Sequence, residues 1–371
     1  MKPYYSLFLL LGFSAICSPL SLIAKKFEKT IERSFDITQN GTTAISNKYG
    51  KVTIQTWEKD VVSIKVTIQA ETGSEKEAQE AFDRVTIEFL SSVDKVSAKT
   101  ELESKSTSWW SWDFSQVDYK INYEVFLPIT NNLELVHKYG NFSLNELEGE
   151  LTVNLSYGKG VIEKLENFGS LNLAYANINI EEADDLKVIM KYSDLRIGDM
   201  NDLNIESKYS KIEIDKAKAI NTISKYDHFN IGSLSDLKNS GKFDHFEIQD
   251  IRNLEILSQY TDVEVKKLGE VMDLDLKYGG GSFGLGQNFK SIIVNGEHAN
   301  FRLEVEEGSQ FDLFLQSKYS DIKIPQMTDF QRDIKTSSER IIEGSFTEGT
   351  TGQPKGMVKI VLQYGGLKIE E

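Results

Sequence analysis

The sequence predicts an all-β fold, a single-stranded parallel β-helix or solenoid with coils of 17–18 residues. Two observations predict it. A ring recurs at successive spacings of 18, 18, 17, 17, 17, 17, 17, 18, 20 and 21 residues, and only 5 prolines interrupt a chain with 15 tyrosines and 20 phenylalanines. The recurring rings are Tyr139, Tyr157, Tyr175, Tyr192, Tyr209, Tyr226, Phe243, Tyr260, Tyr278, His298 and Tyr319.

Each repeat contains three short apolar walls. In one unit, Leu203, Ile205 and Ser207 alternate toward Tyr209, so they share one side of a strand. Apolar residues follow three, five and eight positions after most of the rings, and a small or turn-forming residue directly after the ring marks a corner. Because one coil cannot bury such walls alone, we expect stacked coils around a shared core. The preference for right-handed crossovers predicts a right-handed coil.

The phase of the ring predicts an inward stack, either inside the coil or at its corner, rather than an aromatic platform for glycans. One position earlier, Lys191, Lys208, Lys225 and Lys242 form a column of like charges. Such a column is unfavourable alone, so acidic side chains are expected to lie close to it. The candidates are Glu206, Glu213, Asp194 and Asp215.

The repeat motif also occurs near both ends of the chain, at Tyr49 and at Tyr364. We therefore predict four segments: a signal peptide (1–24), a first coil with a β-rich N-terminal insertion or cap (25–130), the solenoid array (131–325), and an insertion with a C-terminal capping coil (326–371). Within the first insertion, Ser74 and Glu77 predict a capping box that begins one short helix. The second insertion is expected to shield the last coil.

The N-terminal apolar stretch and the composition together predict an exported protein. One basic residue precedes an apolar run, as in a signal peptide, and cleavage after Cys17 or Ala24 would remove the only cysteine. Nothing later in the sequence is apolar enough for a transmembrane segment. The net charge of −15 argues against nucleic acid as a partner and leaves cationic partners, including divalent metals, open. The predicted location is the periplasm, the cell surface or the medium.

Three segments carry a family resemblance: TTAISNKYGKVTIQTWEKDVVSIKV (42–66), YEVFLP (123–128) and KIVLQYGGLKI (359–369). With the repeated corners between them, the chain resembles the bacterial putative-adhesin family of exported β-strand-repeat (β-helix) proteins of unknown function. The resemblance spans nearly the whole mature chain and implies an exported β-helix, with no catalytic residue to carry over. The chain departs from the family's usual asparagine-glycine corner, because Lys-Tyr-Ser or Lys-Tyr-Asp stands there.

Two groups of residues are candidate sites. Trp109, Trp110 and Trp112 lie in a serine-flanked segment, where they predict either a loop that contacts a ligand or a plug on the first coil. One coil apart lie the pairs Asp227-His228 and Asp244-His245, whose imidazoles and carboxylates suit zinc or copper. Duplication of a repeat explains these pairs without any ligand as well. The candidate metal ligands are therefore Asp227, His228, Asp244 and His245.

The sequence contains no recognisable catalytic motif, so no catalytic residue and no cofactor are predicted. The favoured function is a non-catalytic envelope protein that presents its ladder faces to a glycan, to a protein partner or to another copy of itself. A β-helical carbohydrate-active enzyme, either a lyase or a hydrolase, is the alternative from another class, since such enzymes share this fold. A periplasmic structural or stress-linked factor is the third.

Overall fold

The computed structural model describes residues 25–103, 118–346 and 356–370. Within these ranges, 23 strands join in one continuous sheet that winds into a solenoid of about 10 turns. The predicted all-β solenoid is therefore confirmed, and its hand stays a prediction. Among the described residues, no helix is long and apolar enough to cross a membrane.

The N-terminal insertion adds a turn of sheet before the first coil. Strand β5 pairs in parallel with the first half of β2, and β6 pairs in parallel with its second half. Ser74 accepts a hydrogen bond from the Glu77 amide, so the predicted start of the helix is confirmed. The elements are β1 (Lys25–Asp36), β2 (Thr42–Trp57), β3 (Val61–Thr72), α1 (Glu75–Phe82), β4 (Val85–Ser91), β5 (Lys95–Leu102) and β6 (Asp118–Pro128).

The central coils repeat with a constant register. Leu203 pairs with Ile220, and every other pair between these two coils is likewise 17 residues apart. Inward positions such as Leu203 and Ile220 are at most 1% exposed, which places the core on the axis of the coil. The strands are β7 (Asn132–Leu147), β8 (Leu151–Ser156), β9 (Lys159–Leu165), β10 (Gly169–Ala174), β11 (Asn177–Lys191), β12 (Asp194–Lys208), β13 (Lys211–Lys225), β14 (His228–Lys242), β15 (His245–Gln259) and β16 (Asp262–Leu285).

At the C-terminal end, the order of coils in space differs from their order in the sequence. The remaining strands are β17 (Ser291–Val305), β18 (Phe311–Lys318), β19 (Asp321–Lys323), β20 (Asp329–Lys335), β21 (Glu339–Phe346), β22 (Gly356–Gln363) and β23 (Gly366–Glu370). The last two lie between β17 and the β18–β19 coil and pair in parallel with both.

The expectation that the C-terminal motif ends the stack is therefore wrong. An inserted coil has neighbours along both of its edges, so its backbone groups find hydrogen-bond partners on each side. The hairpin β20–β21 then covers the outermost coil, because β21 pairs antiparallel with β18. The second insertion shields the last coil as predicted, although that coil is β18–β19.

Candidate functional site: the ring ladder and its flanking columns

The recurring rings form one continuous stack, here called the ring ladder. Neighbouring ring centroids lie 4.6 to 5.3 Å apart, and the planes of neighbouring rings differ by 2° to 13°. The tyrosine and phenylalanine rings are 38% to 56% exposed. In order along the axis, the thirteen rings are Tyr49, Tyr139, Tyr157, Tyr175, Tyr192, Tyr209, Tyr226, Phe243, Tyr260, Tyr278, His298, Tyr364 and Tyr319.

The backbone at each ring explains why the ladder faces outward. All thirteen residues have φ between 51° and 61°, the left-handed conformation. This interrupts the alternation of the strand, so Tyr209 is 40% exposed while Ser207 and Ser210 on either side of the corner are buried. The predicted corner stack is confirmed, but its inward orientation is wrong. A left-handed backbone conformation costs an L-residue about 1–2 kcal/mol. The contacts between stacked rings offset this cost.

The residues that follow Tyr226 and Phe243 point into the corner instead. Asp227 accepts hydrogen bonds from the Ser210 amide (2.7 Å) and the Lys225 amide (3.0 Å). Asp244 accepts from the Asp227 amide (3.0 Å) and from the Ser224 hydroxyl (2.9 Å). Both aspartates are 4% exposed. Burial raises the pKa of Asp227, and it raises the pKa of Asp244 to about 6.

The four residues predicted as metal candidates are thus divided between two sides of the corner. His228 and His245 lie outside and stack with their centroids 5.0 Å apart, whereas the two aspartates hold the backbone inside. The third outward ligand is Glu247, whose Oε1 lies 3.1 Å from His245 Nε2 and 3.9 Å from His228 Nε2. The sequence could have pointed to Glu247 through its spacing from His245, because residues two apart share one face of a strand.

The lysine column, defined as Lys191, Lys208, Lys225 and Lys242, runs in register along one side of the ladder. The ammonium nitrogens of Lys208 and Lys225 lie 4.9 and 5.3 Å from the centroids of the following tyrosine rings. No lysine of the column makes an ion pair with a carboxylate of the described residues.

The expected acidic neighbours of this column do not pair with it. Glu213 and Asp215 contact Arg196 on the wall that follows the ring, and Glu213 also binds Lys211 there. The alternation restarts after the left-handed corner, so these carboxylates belong to a different face from the lysines. Glu206 differs from them, because it lies two residues before Lys208 on the same outer face of β12, although it forms no ion pair with that lysine. The expectation of a nearby acidic side chain therefore holds for Glu206 and is wrong for Glu213 and Asp215.

A shallow groove of 400 Å³ lies beside the lysine column on the outer face of β11–β15. Its lining includes the side chains of Asn204 and Asn221, with the Asn221 amide donating to Asn204 at 3.3 Å. The charged side chains of the lining balance, because two lysines and two glutamates contribute to it: Lys187, Lys238, Glu206 and Glu255. Ile223 and Leu257 also line it and are 62% and 57% exposed. Five neighbouring strands contribute, so the groove extends roughly 20 Å along the axis, at about 4.8 Å per strand.

The tryptophan candidates lie outside the described residues. Trp109, Trp110 and Trp112 belong to the segment that connects β5 to β6, the two strands that pair with the first coil. Both roles proposed from the sequence, ligand contact and plug, stay predictions.

Three solved structures are similar to the chain. No family's sequence profile matches the chain, and no curated protein does. Among solved structures, the chain is similar to a putative cell adhesion protein from Clostridium sporogenes at 10% identity, covering 93% of this chain and 99% of that one with a TM-score of 0.20. It is also similar to a putative adhesin from Bacteroides fragilis, at 10% identity, 92% and 97% coverage and a TM-score of 0.26.

A third similar structure is a putative adhesin from Parabacteroides distasonis, at 8% identity, 92% and 97% coverage and a TM-score of 0.29. With TM-scores this low, the three names carry no argument about what this chain binds.

Proposed function

We propose that this protein is a non-catalytic, exported binding protein of the cell envelope, and that the face formed by the ring ladder and the lysine column holds an extended acidic polysaccharide. The observation that carries the proposal is the run of four lysines without carboxylate partners in a chain whose net charge is −15. Like charges on adjacent strands repel, so a linear polyanion along the column would remove this repulsion.

The groove beside the column supplies the remaining contacts that a sugar chain needs. The amides of Asn204 and Asn221 can donate to and accept from hydroxyl groups, and the exposed side chains of Ile223 and Leu257 offer apolar contact to the C–H faces of sugar rings. The groove follows the axis of the solenoid, which suits an extended polymer better than a compact ligand.

The ring ladder has a positioning role in this proposal. Each interior ring has both of its faces covered by neighbouring rings, so a sugar cannot stack on them in the usual way. The ring edges stay exposed, and the ladder keeps the adjacent lysines at the spacing of the coils. The aromatic residues thus form a rigid border of the binding face.

Binding of the purified protein to polymers tests this proposal. Isothermal titration with polygalacturonate, dextran sulfate and neutral dextran, at low and at high ionic strength, should show binding of the two acidic polymers only, weakened by salt. Changing all four lysines of the column to glutamine should weaken binding about 100-fold, since each exposed ion pair contributes about 0.5–1 kcal/mol.

The matched control changes Lys216, Lys218, Lys266 and Lys267 to glutamine, which removes the same charge from exposed positions elsewhere. An equal loss in this control would contradict the proposal, as would equally tight binding of duplex DNA. Reproducible cleavage of either acidic polymer would instead support the carbohydrate-active enzyme.

A further inference from the structure

We propose that His228, His245 and Glu247 form a binding site for a divalent transition metal, zinc or copper, on the outer face of β14 and β15. The site is independent of the polysaccharide proposal, because it lies on the opposite side of the ring ladder from the lysine column. Its basis is the juxtaposition of two imidazoles and one carboxylate whose ligand atoms all lie within 4.8 Å of one another.

The distances are close to those of a tetrahedral site. With metal–ligand bonds of about 2.0–2.1 Å, the ligand atoms of such a site lie about 3.4 Å apart. His245 Nε2 and Glu247 Oε1 are 3.1 Å apart, and His228 Nε2 and Glu247 Oε1 are 3.9 Å apart. The two imidazoles are stacked with their planes 20° apart, so at least one ring has to rotate before both Nε2 atoms point at one metal. The three side chains are 35% to 41% exposed, which leaves them room to do so.

The backbone beneath the two histidines is held firmly. His228 and His245 are paired in register on adjacent strands. Their amides donate to the carbonyls of Ser210 (3.0 Å) and Asp227 (2.9 Å). Asp227 and Asp244, each directly before a histidine, are themselves hydrogen-bonded in the corner. Ligands on a rigid scaffold lose little conformational freedom on binding a metal.

The charges around the cluster favour a cation. In the next coil, Asp262 is in register with His245 and Glu264 is in register with Glu247. On the other side, Lys211 is in register with His228, and its ammonium lies 2.5 Å from Glu213. The neighbouring lysine is thus already paired with a carboxylate, while the two acidic side chains add negative potential.

The chemistry of the ligands selects the class of metal. Two imidazole nitrogens and one carboxylate oxygen suit zinc and copper(II), whereas calcium and magnesium prefer all-oxygen sites. Three protein ligands leave a position for water or for an external ligand.

Titration of the purified chain with zinc chloride and with copper chloride alone tests the site. We expect one equivalent of zinc per chain, and cobalt substitution should give the visible d–d absorption of a tetrahedral centre. The variants His228→Asn, His245→Asn and Glu247→Gln should each lose this equivalent. All three side chains are partly exposed, so circular dichroism and the melting temperature without metal should stay unchanged.

His298→Asn is the matched control, because it removes an exposed histidine that belongs to the ring ladder. This variant should keep the full equivalent. Absence of binding to the unaltered protein, retention of zinc by the double variant His228→Asn/His245→Asn, or an equal loss in the control would overturn the proposal.

Discussion

Two pairs of aromatic rings span the same two coils with nearly the same stacking geometry, and they differ in burial and in backbone conformation. Phe229 and Phe246 stack with centroids 4.5 Å apart and planes 6° apart, and both are 0% exposed. Tyr226 and Phe243 stack at 4.6 Å and 6°, and they are 40% and 38% exposed. The spacing of strands sets the geometry of both pairs, since a ring repeated in every coil must lie close to its copy.

The comparison separates two roles of a repeated ring. The inner pair removes apolar surface from water, which is the main source of stability in a core. The outer pair keeps much of its surface in water and requires left-handed backbone at each ring. Stacking geometry alone therefore does not distinguish a structural ring from a displayed one. Burial and backbone conformation do.

The largest effect should come from removing one ring of the inner pair. Phe246→Ala should lower the free energy of unfolding by about 3–5 kcal/mol, because it removes buried surface and leaves a cavity. Phe243→Ala, in the same coil, should cost about 1–2 kcal/mol for its contacts with Tyr226 and Tyr260. Urea unfolding of both variants measures the difference. Equal losses would show that stacking, and not burial, stabilises these rings.

The coils themselves could be predicted from the sequence because the signal is local. Alternation places Leu203 and Ile205 inward, and the recurring motif at Tyr49 and Tyr364 places the end strands in the same sheet. The order of the last coils could not be predicted in this way. It depends on which strand edges remain open once β21 covers β18, a property of the assembled sheet.

The candidate site was predicted only in part, and the left-handed corner is the reason. The sequence places His228 and His245 one coil apart, which the structure bears out. It does not show that the chain turns at the ring and sends Asp227 and Asp244 inward, because tyrosine has no general preference for left-handed backbone. Glu247 was missed, although its spacing from His245 puts both on one face.

The next largest effect should be a dependence of stability on pH that originates in Asp244, on the inner side of the corner at Phe243. Burial raises its pKa to about 6 from an ordinary value of 3.8. The folded state therefore binds the proton more tightly than the unfolded state does. Its contribution should be largest below about pH 4 and should fall, by up to about 3 kcal/mol, as the pH rises through 6.

Asp244→Asn should flatten this part of the stability curve, because an amide oxygen can still accept from the Asp227 amide without ionising. Urea unfolding across the range from about pH 4 to about pH 7 checks this against Asp262→Asn, an exposed residue of the neighbouring coil. If both variants keep the slope of the unaltered protein, Asp244 does not titrate in the manner expected from its burial.

The smallest effect should come from a ring of the outer ladder, where ring stacking stabilises the fold and left-handed backbone destabilises it. Tyr209 stacks between Tyr192 and Tyr226 at 5.0 and 4.9 Å, with φ at 54°. Tyr209→Ala loses the ring and keeps the backbone cost, so it should lower the free energy of unfolding by about 1–2 kcal/mol. Tyr209→Asn should be more stable than the alanine variant by several tenths of a kcal/mol to about 1 kcal/mol, because asparagine adopts left-handed backbone more readily.

Urea unfolding of the two variants, with acidic-polymer binding measured on the same samples, separates the effect of the backbone from the effect of the ring. If asparagine costs as much as alanine, left-handed backbone is not what limits this corner. If the asparagine variant is as stable as the unaltered protein and binds the polymer less tightly, a residue suited to the backbone can replace the ring without loss of fold. The exposed ladder would then serve the binding face, and the buried pair would serve stability.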